Sequence, residues 1–126
     1  MSQAPNHDAN DVVDWTAVLS QFGGRQEFVA KLSVVALQAF TDLPEKIAQS
    51  IVKRDLRDLG FLAHSVKGIC ANFNAPQVLA LALATEQSAK DGKAEQALTR
   101  GEELVPLLRA MIDNIAAWRQ ANAGGR

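Results

Sequence analysis

Cysteine and tyrosine are nearly absent from this chain: its 126 residues include one cysteine, Cys70, and no tyrosine. A single thiol cannot close an intramolecular disulfide, so a small secreted disulfide scaffold is excluded and a reducing cytoplasm is the expected setting. The N-terminus MSQAPNHDAND is polar and has no apolar signal core. No run approaches the roughly 18 apolar residues needed to cross a bilayer, so membrane insertion is not expected. An excess of either charge is missing too, with 13 Lys and Arg against 14 Asp and Glu. That balance gives no electrostatic footprint for nucleic acid or for an anionic membrane surface. There is no glycine-rich phosphate loop and no His, Cys and carboxylate cluster at metal-ligand spacing. ATP hydrolysis, autophosphorylation, a metal site and a bound cofactor are therefore not expected of this chain.

What is present is helical patterning around one core. An apolar fraction of 48% over this length supports a single domain, placed at residues 11–120 with mobile tails at 1–10 and 121–126. Asp14 is positioned to cap a short helix with Trp15, Val18, Leu19 and Phe22 on one stripe, ended by Gly23-Gly24. A second pattern runs from about Arg25 to Val52, with Phe28, Leu32, Val35, Phe40, Leu43 and Ile47 as inward groups and Pro44 as a kink or a split. A third spans about Asp55 to Phe73, and a fourth opens at Pro76 and closes at Asp91-Gly92. The last spans about Ala94 to Trp118, where Gly101 and Pro106 should bend or weaken its first half. Short connections favour antiparallel neighbours. The expected fold is all-α: an antiparallel up-down-up-down four-helix bundle with a short extra N-terminal helix as a lid on one end.

The third pattern carries the chemistry. On a wheel of about 100° per residue, Leu59, Leu62, Val66, Ile69 and Phe73 fall opposite His64 and form the core face. His64 then points to solvent, on a stripe with Arg57, Gly60, Lys67, Gly68 and Ala71. An exposed helix face normally fills with long polar side chains. Each interior glycine costs about 0.5–1 kcal/mol relative to alanine, so two beside one histidine suggest space cleared for something to approach the ring. A neutral imidazole is nucleophilic near pH 7 and needs no general base. Lys67 could reach the equatorial oxygens of a transferring phosphoryl group, and Gly68 leaves room for an in-line approach.

The segment Ala63-His64-Ser65-Val66-Lys67-Gly68-Ile69-Cys70-Ala71-Asn72-Phe73-Asn74-Ala75 resembles the signature of histidine phosphotransfer domains. Phe22-Gly23-Gly24-Arg25-Gln26-Glu27-Phe28 is similar to the family's entry into its first long helix. The resemblance implies His64 as phosphoacceptor, Lys67 as phosphate-stabilising cation and Gly68 as the clearance residue. It also implies a stoichiometric phosphocarrier rather than an enzyme. Its partners would be a response-regulator receiver domain, which supplies the aspartate and a Mg²⁺ ion, and a hybrid sensor histidine kinase. Arg57, Gly60, Phe61 and Ala71 are the expected partner-facing residues, and a monomer is expected. Two positions depart from the family pattern: Asn74 replaces a usual glycine, and Thr85-Glu86 replaces a usual Leu-Glu pair. The alternative reading is a helical docking module that binds a receiver or an enzyme without being phosphorylated.

Other candidates have plainer roles. His7 lies in the expected tail without ligand-spaced neighbours, and Cys70 sits toward the core side of the wheel, as a small hydrophobe. Trp15 and Trp118 are expected to seal a bundle end.

Overall fold

The computed structural model describes residues 12–123, and among them every regular element is an α-helix. These are α1 Trp15–Gln21, α2 Gln26–Phe40, α3 Leu43–Val52, α4 Leu56–Cys70, α5 Pro76–Lys90 and α6 Ala94–Ala123. Side chains set the boundaries. Asp14 accepts a hydrogen bond from the Ala17 N–H at 3.1 Å, and Asp55 accepts one from the Asp58 N–H at 3.1 Å. Each satisfies an amide that the first helical turn leaves without a partner. Pro44 splits the long second pattern: it lies in the first turn of α3, where its missing N–H is no loss and its fixed φ suits a helix. Gly101 and Pro106 do not interrupt α6, which continues past Trp118 and into the stretch read as a C-terminal tail. Gly101 is instead a packing residue, because a β-carbon there would lie 3.1 Å from Ile51 Cδ1 and 3.3 Å from Leu59 Cδ1. Residues 1–10, expected as the N-terminal tail, and His7 with them, lie outside the described residues.

Helix α4 packs along α5 and α5 along α6, while α3 touches both α4 and α6, and α2 leans on α6. Matched positions run in opposite senses. Gly60 faces Ala89 while Lys67 meets Glu86 across α4 and α5. Gln26 bonds to Asn122 while Glu45 pairs with Arg109 across α2, α3 and α6. These neighbours are therefore antiparallel. One end is closed by α1, where Trp15 stacks on Trp118 at 4.6 Å between centroids and meets Phe73 edge-on at 6.0 Å. Both indoles are buried, as the sequence suggested. The Asp14 N–H donates to the Asn74 carbonyl at 2.7 Å and the Val13 N–H to Asn114 Oδ1 at 3.0 Å, fastening this closure at two points.

The inward face of α2 differs from the expected one. Val29, Ser33 and Ala36 are buried, whereas Phe28 and Val35 are 40% and 60% exposed. Leu32 and Phe40 are partly buried, and Leu43 and Ile47 are in the core. The helix is apolar almost all round, so periodicity alone leaves its rotation open and the contact with α6 fixes it. Small groups win at that contact. Ser33 enters the core because its hydroxyl donates to the Val29 carbonyl at 2.8 Å. Phe28 rests instead on Phe22 and under the Arg25 guanidinium, 4.8 Å from its ring centre. The α3–α4 turn closes through Arg54, held in a left-handed conformation at φ 54°.

Candidate functional site

The site begins with the apolar stripe of α4. Leu59, Leu62, Ala63, Val66 and Ile69 are buried, with Phe73 beyond the helix end buried too. That anchorage turns His64 outward, and its side chain is 63% exposed. The ring is not solitary. His64 Nδ1 lies 2.8 Å from Glu86 Oε2, and Lys67 Nζ donates to Glu86 Oε1 at 2.9 Å. Glu86 reaches over from α5, where Val78, Ala82, Thr85 and Ser88 form the buried side and leave position 86 at the α4 border, 18% exposed. Thr85 fits in the core because its hydroxyl donates to the Leu81 carbonyl at 2.7 Å.

Electrostatics then assign the tautomer. The hydrogen bond from Lys67 is the main cause holding the Glu86 carboxyl below the ordinary carboxylate range. Partial desolvation opposes this, and the bond to His64 adds to it. At neutral pH Glu86 is therefore ionised and can only accept, so Nδ1 carries the ring proton and donates it. In the neutral ring Nε2 is left with a free lone pair. One carboxylate thus orients the imidazole and holds a cation one helical turn away.

The two glycines of the stripe differ in kind. A β-carbon on Gly68 would meet nothing within 4 Å, so that position opens to solvent. A β-carbon on Gly60 would stand 3.2 Å from Ala89 Cβ, so this glycine serves the close approach of α4 and α5 rather than access to the imidazole. Arg57, Gly60 and Phe61 come together with His64, Glu86, Ala89 and Lys90 around a cleft of about 450 Å³. Ala71 is not part of it: it lies beyond the end of α4, where its carbonyl accepts from Gln21 Nε2 at 3.0 Å. Burial pushes the Cys70 thiol up to about 11, which leaves it protonated and unreactive at neutral pH.

Glu86 is the site residue that sequence reasoning did not assign. A usable signal was there: antiparallel α4 and α5 bring the mid-80s opposite position 64, and Glu86 is the one acidic residue between Pro76 and Lys90. Among the described residues no group of three or more His, Cys, Asp or Glu is placed to hold a metal ion. No described helix is long and apolar enough to cross a membrane.

A model of the Hpt domain matches residues 32–118, a span that contains His64, Lys67, Gly68 and Glu86. The chain belongs to the Hpt domain family. Hpt domains are helical bundles that serve as phosphocarriers in two-component signalling and work with receiver domains and kinases. No curated protein and no solved structure matches the chain.

Proposed function

We propose that this chain relays a phosphoryl group through His64, taking it from or giving it to the aspartate of a response-regulator receiver domain. The observation that carries this reading is the His64–Glu86–Lys67 arrangement on an outward helix face. In the forward step the Nε2 lone pair attacks the phosphorus of the receiver's aspartyl phosphate. A P–N bond forms as the P–O bond to the aspartate breaks, and the aspartate leaves as a carboxylate. The ring keeps its Nδ1 proton and becomes positively charged, and the Glu86 carboxylate stabilises that charge as it develops. Lys67 meets the transferring oxygens, and the open surface at Gly68 admits the in-line approach. The receiver brings its own aspartate and Mg²⁺, so this chain needs neither. Transfer back to a receiver is the same path reversed.

Helices α2 and α3 act in this reading as one broken arm. With α4, α5 and α6 they make the family's antiparallel up-down-up-down four-helix bundle, with α1 as the additional short helix. Arg57, Phe61 and Ala71 lie on the outer surface and face the partner, with Gly60 in the wall of the cleft that Arg57 and Phe61 also line. The test is to incubate the purified chain with a phosphorylated receiver domain and Mg²⁺. Acid-labile, base-stable label should appear on the wild type and not on His64→Gln. Full labelling of that variant, with its helicity intact, overturns the assignment.

A further inference from the structure

Helix α1 is tethered to its neighbour in sequence but packs against residues far along the chain. The tether is Phe22-Gly23-Gly24-Arg25. Trp15 stacks on Trp118 and meets Phe73, the Asp14 N–H donates to the Asn74 carbonyl, and the Gln21 side chain donates to the Ala71 carbonyl. Each of these partners is at least 50 positions away in sequence. Nothing in the contact itself requires α1 and the bundle end to be parts of one molecule.

The tether is built to turn and not to pack. Gly23 and Gly24 hold φ at +68° and +76°, the left-handed region that glycine enters freely, and a β-carbon on either would meet nothing within 4 Å. Both glycines therefore serve the fold-back alone. The closure that the fold-back allows is imperfect, because the indole N–H groups of Trp15 and Trp118 are buried and neither has an acceptor among the described residues. Opening returns both donors to water, which offsets part of the cost of exposing the rings. Beside the tether, Phe28 is left 40% exposed.

We propose that α1 also closes the bundle end of a second copy of this chain, giving an exchanged two-fold dimer. In that form Gly23 and Gly24 take helical φ values and α1 runs on into α2 as one rod, about 39 Å long from Trp15 to Phe40 at about 1.5 Å per residue. Each rod delivers its Trp15 to the other copy's Trp118, so every contact of the closure is kept and only its ownership changes. The two tethers cross at the symmetry axis, where Phe22 and Phe28 of one copy meet those of the other and cover apolar surface that the single chain leaves in water. This departs from the monomer expected from the sequence. The occupant is a second copy rather than an unrelated helix, because the closure already specifies the residues it takes, Trp15 and Val18 on a helix capped by Asp14. His64 lies at the α4–α5 border, which the exchange leaves open, so the dimer presents two acceptors on one particle.

The experiment sets the hinge against the oligomeric state. Wild type, Gly23→Ala combined with Gly24→Ala, and a chain with a short Gly-Ser insertion after Gly24 are refolded at high concentration and followed by sedimentation velocity. The alanine pair disfavours the left-handed turn and favours the helical rod, so its dimer association constant should exceed that of wild type by at least about tenfold. The insertion gives α1 slack to fold back and should leave only monomer. Isotope-labelled and unlabelled wild-type copies refolded together then identify the contact. Label-filtered NOEs between Trp15 of one copy and Trp118 of the other should appear in the dimer fraction. A dimer without those NOEs is a surface contact and overturns the proposal, as does an alanine variant that stays monomeric with its helicity intact or an insertion variant that dimerises as wild type does. If the alanine variant does not fold, wild type decides alone, and a chain that remains monomeric at millimolar concentration refutes the exchange.

Discussion

Replacing Glu86 by alanine removes the group that both orients the imidazole and holds Lys67, and its effect should fall on rate rather than on folding. Hydrogen bonds to charged groups contribute about 1.5–3 kcal/mol when enclosed. Here Glu86 is mostly enclosed but the His64 side chain is 63% exposed, so water replaces part of what is lost. A net loss of about 1.4 kcal/mol in the transition state, or tenfold in transfer rate, is expected. The same exposure keeps the folding cost below about 1 kcal/mol. Single-turnover transfer from a labelled receiver gives the rate, and long-range ¹H–¹⁵N spectra of the imidazole give the tautomer. Wild type should show the proton on Nδ1, and Glu86→Ala should move population to the Nε2-protonated ring, which has no lone pair to attack with at Nε2. Glu86→Gln should fall between, because the amide oxygen still accepts from Nδ1 while its NH₂ faces the Lys67 ammonium. Acid provides a further check. Glu86 titrates below its ordinary value when folded, so its stabilisation is complete above the unfolded carboxylate value, about 4.3, and is lost as pH falls through the depressed folded value. The stability gap between wild type and Glu86→Ala should close over that acidic window. A rate within twofold of wild type together with an unchanged tautomer would refute the reasoning.

Three further outcomes follow from the same geometry. Lys67→Ala should slow transfer and shorten the phosphohistidine lifetime by about tenfold, about 1.4 kcal/mol, and equal rates and lifetimes would reduce Lys67 to a partner of Glu86 alone. Gly68→Gln should melt at or above the wild-type temperature, since the position is open and helix propensity rises by about 0.5–1 kcal/mol, yet it should block receiver transfer; unimpaired transfer would end the clearance argument. Trp118→Ala should cost about 3–5 kcal/mol in denaturant unfolding, because a buried ring stacked on Trp15 leaves a cavity; a loss under 1 kcal/mol would show that the α1 closure contributes little.

The legible and the illegible parts of this chain divide along a physical line. The stripe Leu59, Leu62, Val66, Ile69 and Phe73 is separated from His64 by clear periodicity, and all five are buried as that pattern requires. Asp14, Pro44 and Pro76 mark helix starts because their effects are local to one turn. The rotation of α2 was not readable, since Val29 and Val35 are equally apolar and only the neighbouring helix chooses between them. The close approach of Gly60 to Ala89 is illegible for the same reason: the two are 29 positions apart in sequence. Glu86 completes the site from another helix, and one-helix periodicity says which face a residue is on without saying what stands across from it. Gly101 and Pro106 were read by intrinsic propensity, which burial along α6 overrides.

The stacked tryptophans give the molecule an internal optical reporter. The sequence has two tryptophans and no tyrosine, and both indoles lie in a single pair, 4.6 Å apart and 9° from parallel. Ultraviolet emission therefore comes essentially from one place, the seam where α1 meets α6, and their coupling should give a near-ultraviolet dichroism couplet. Helical content is instead spread over all six helices. A red shift in emission ahead of the loss of far-ultraviolet dichroism would mean that the α1 closure opens as a separate unit before the rest unfolds, and coincident curves would mean one cooperative transition.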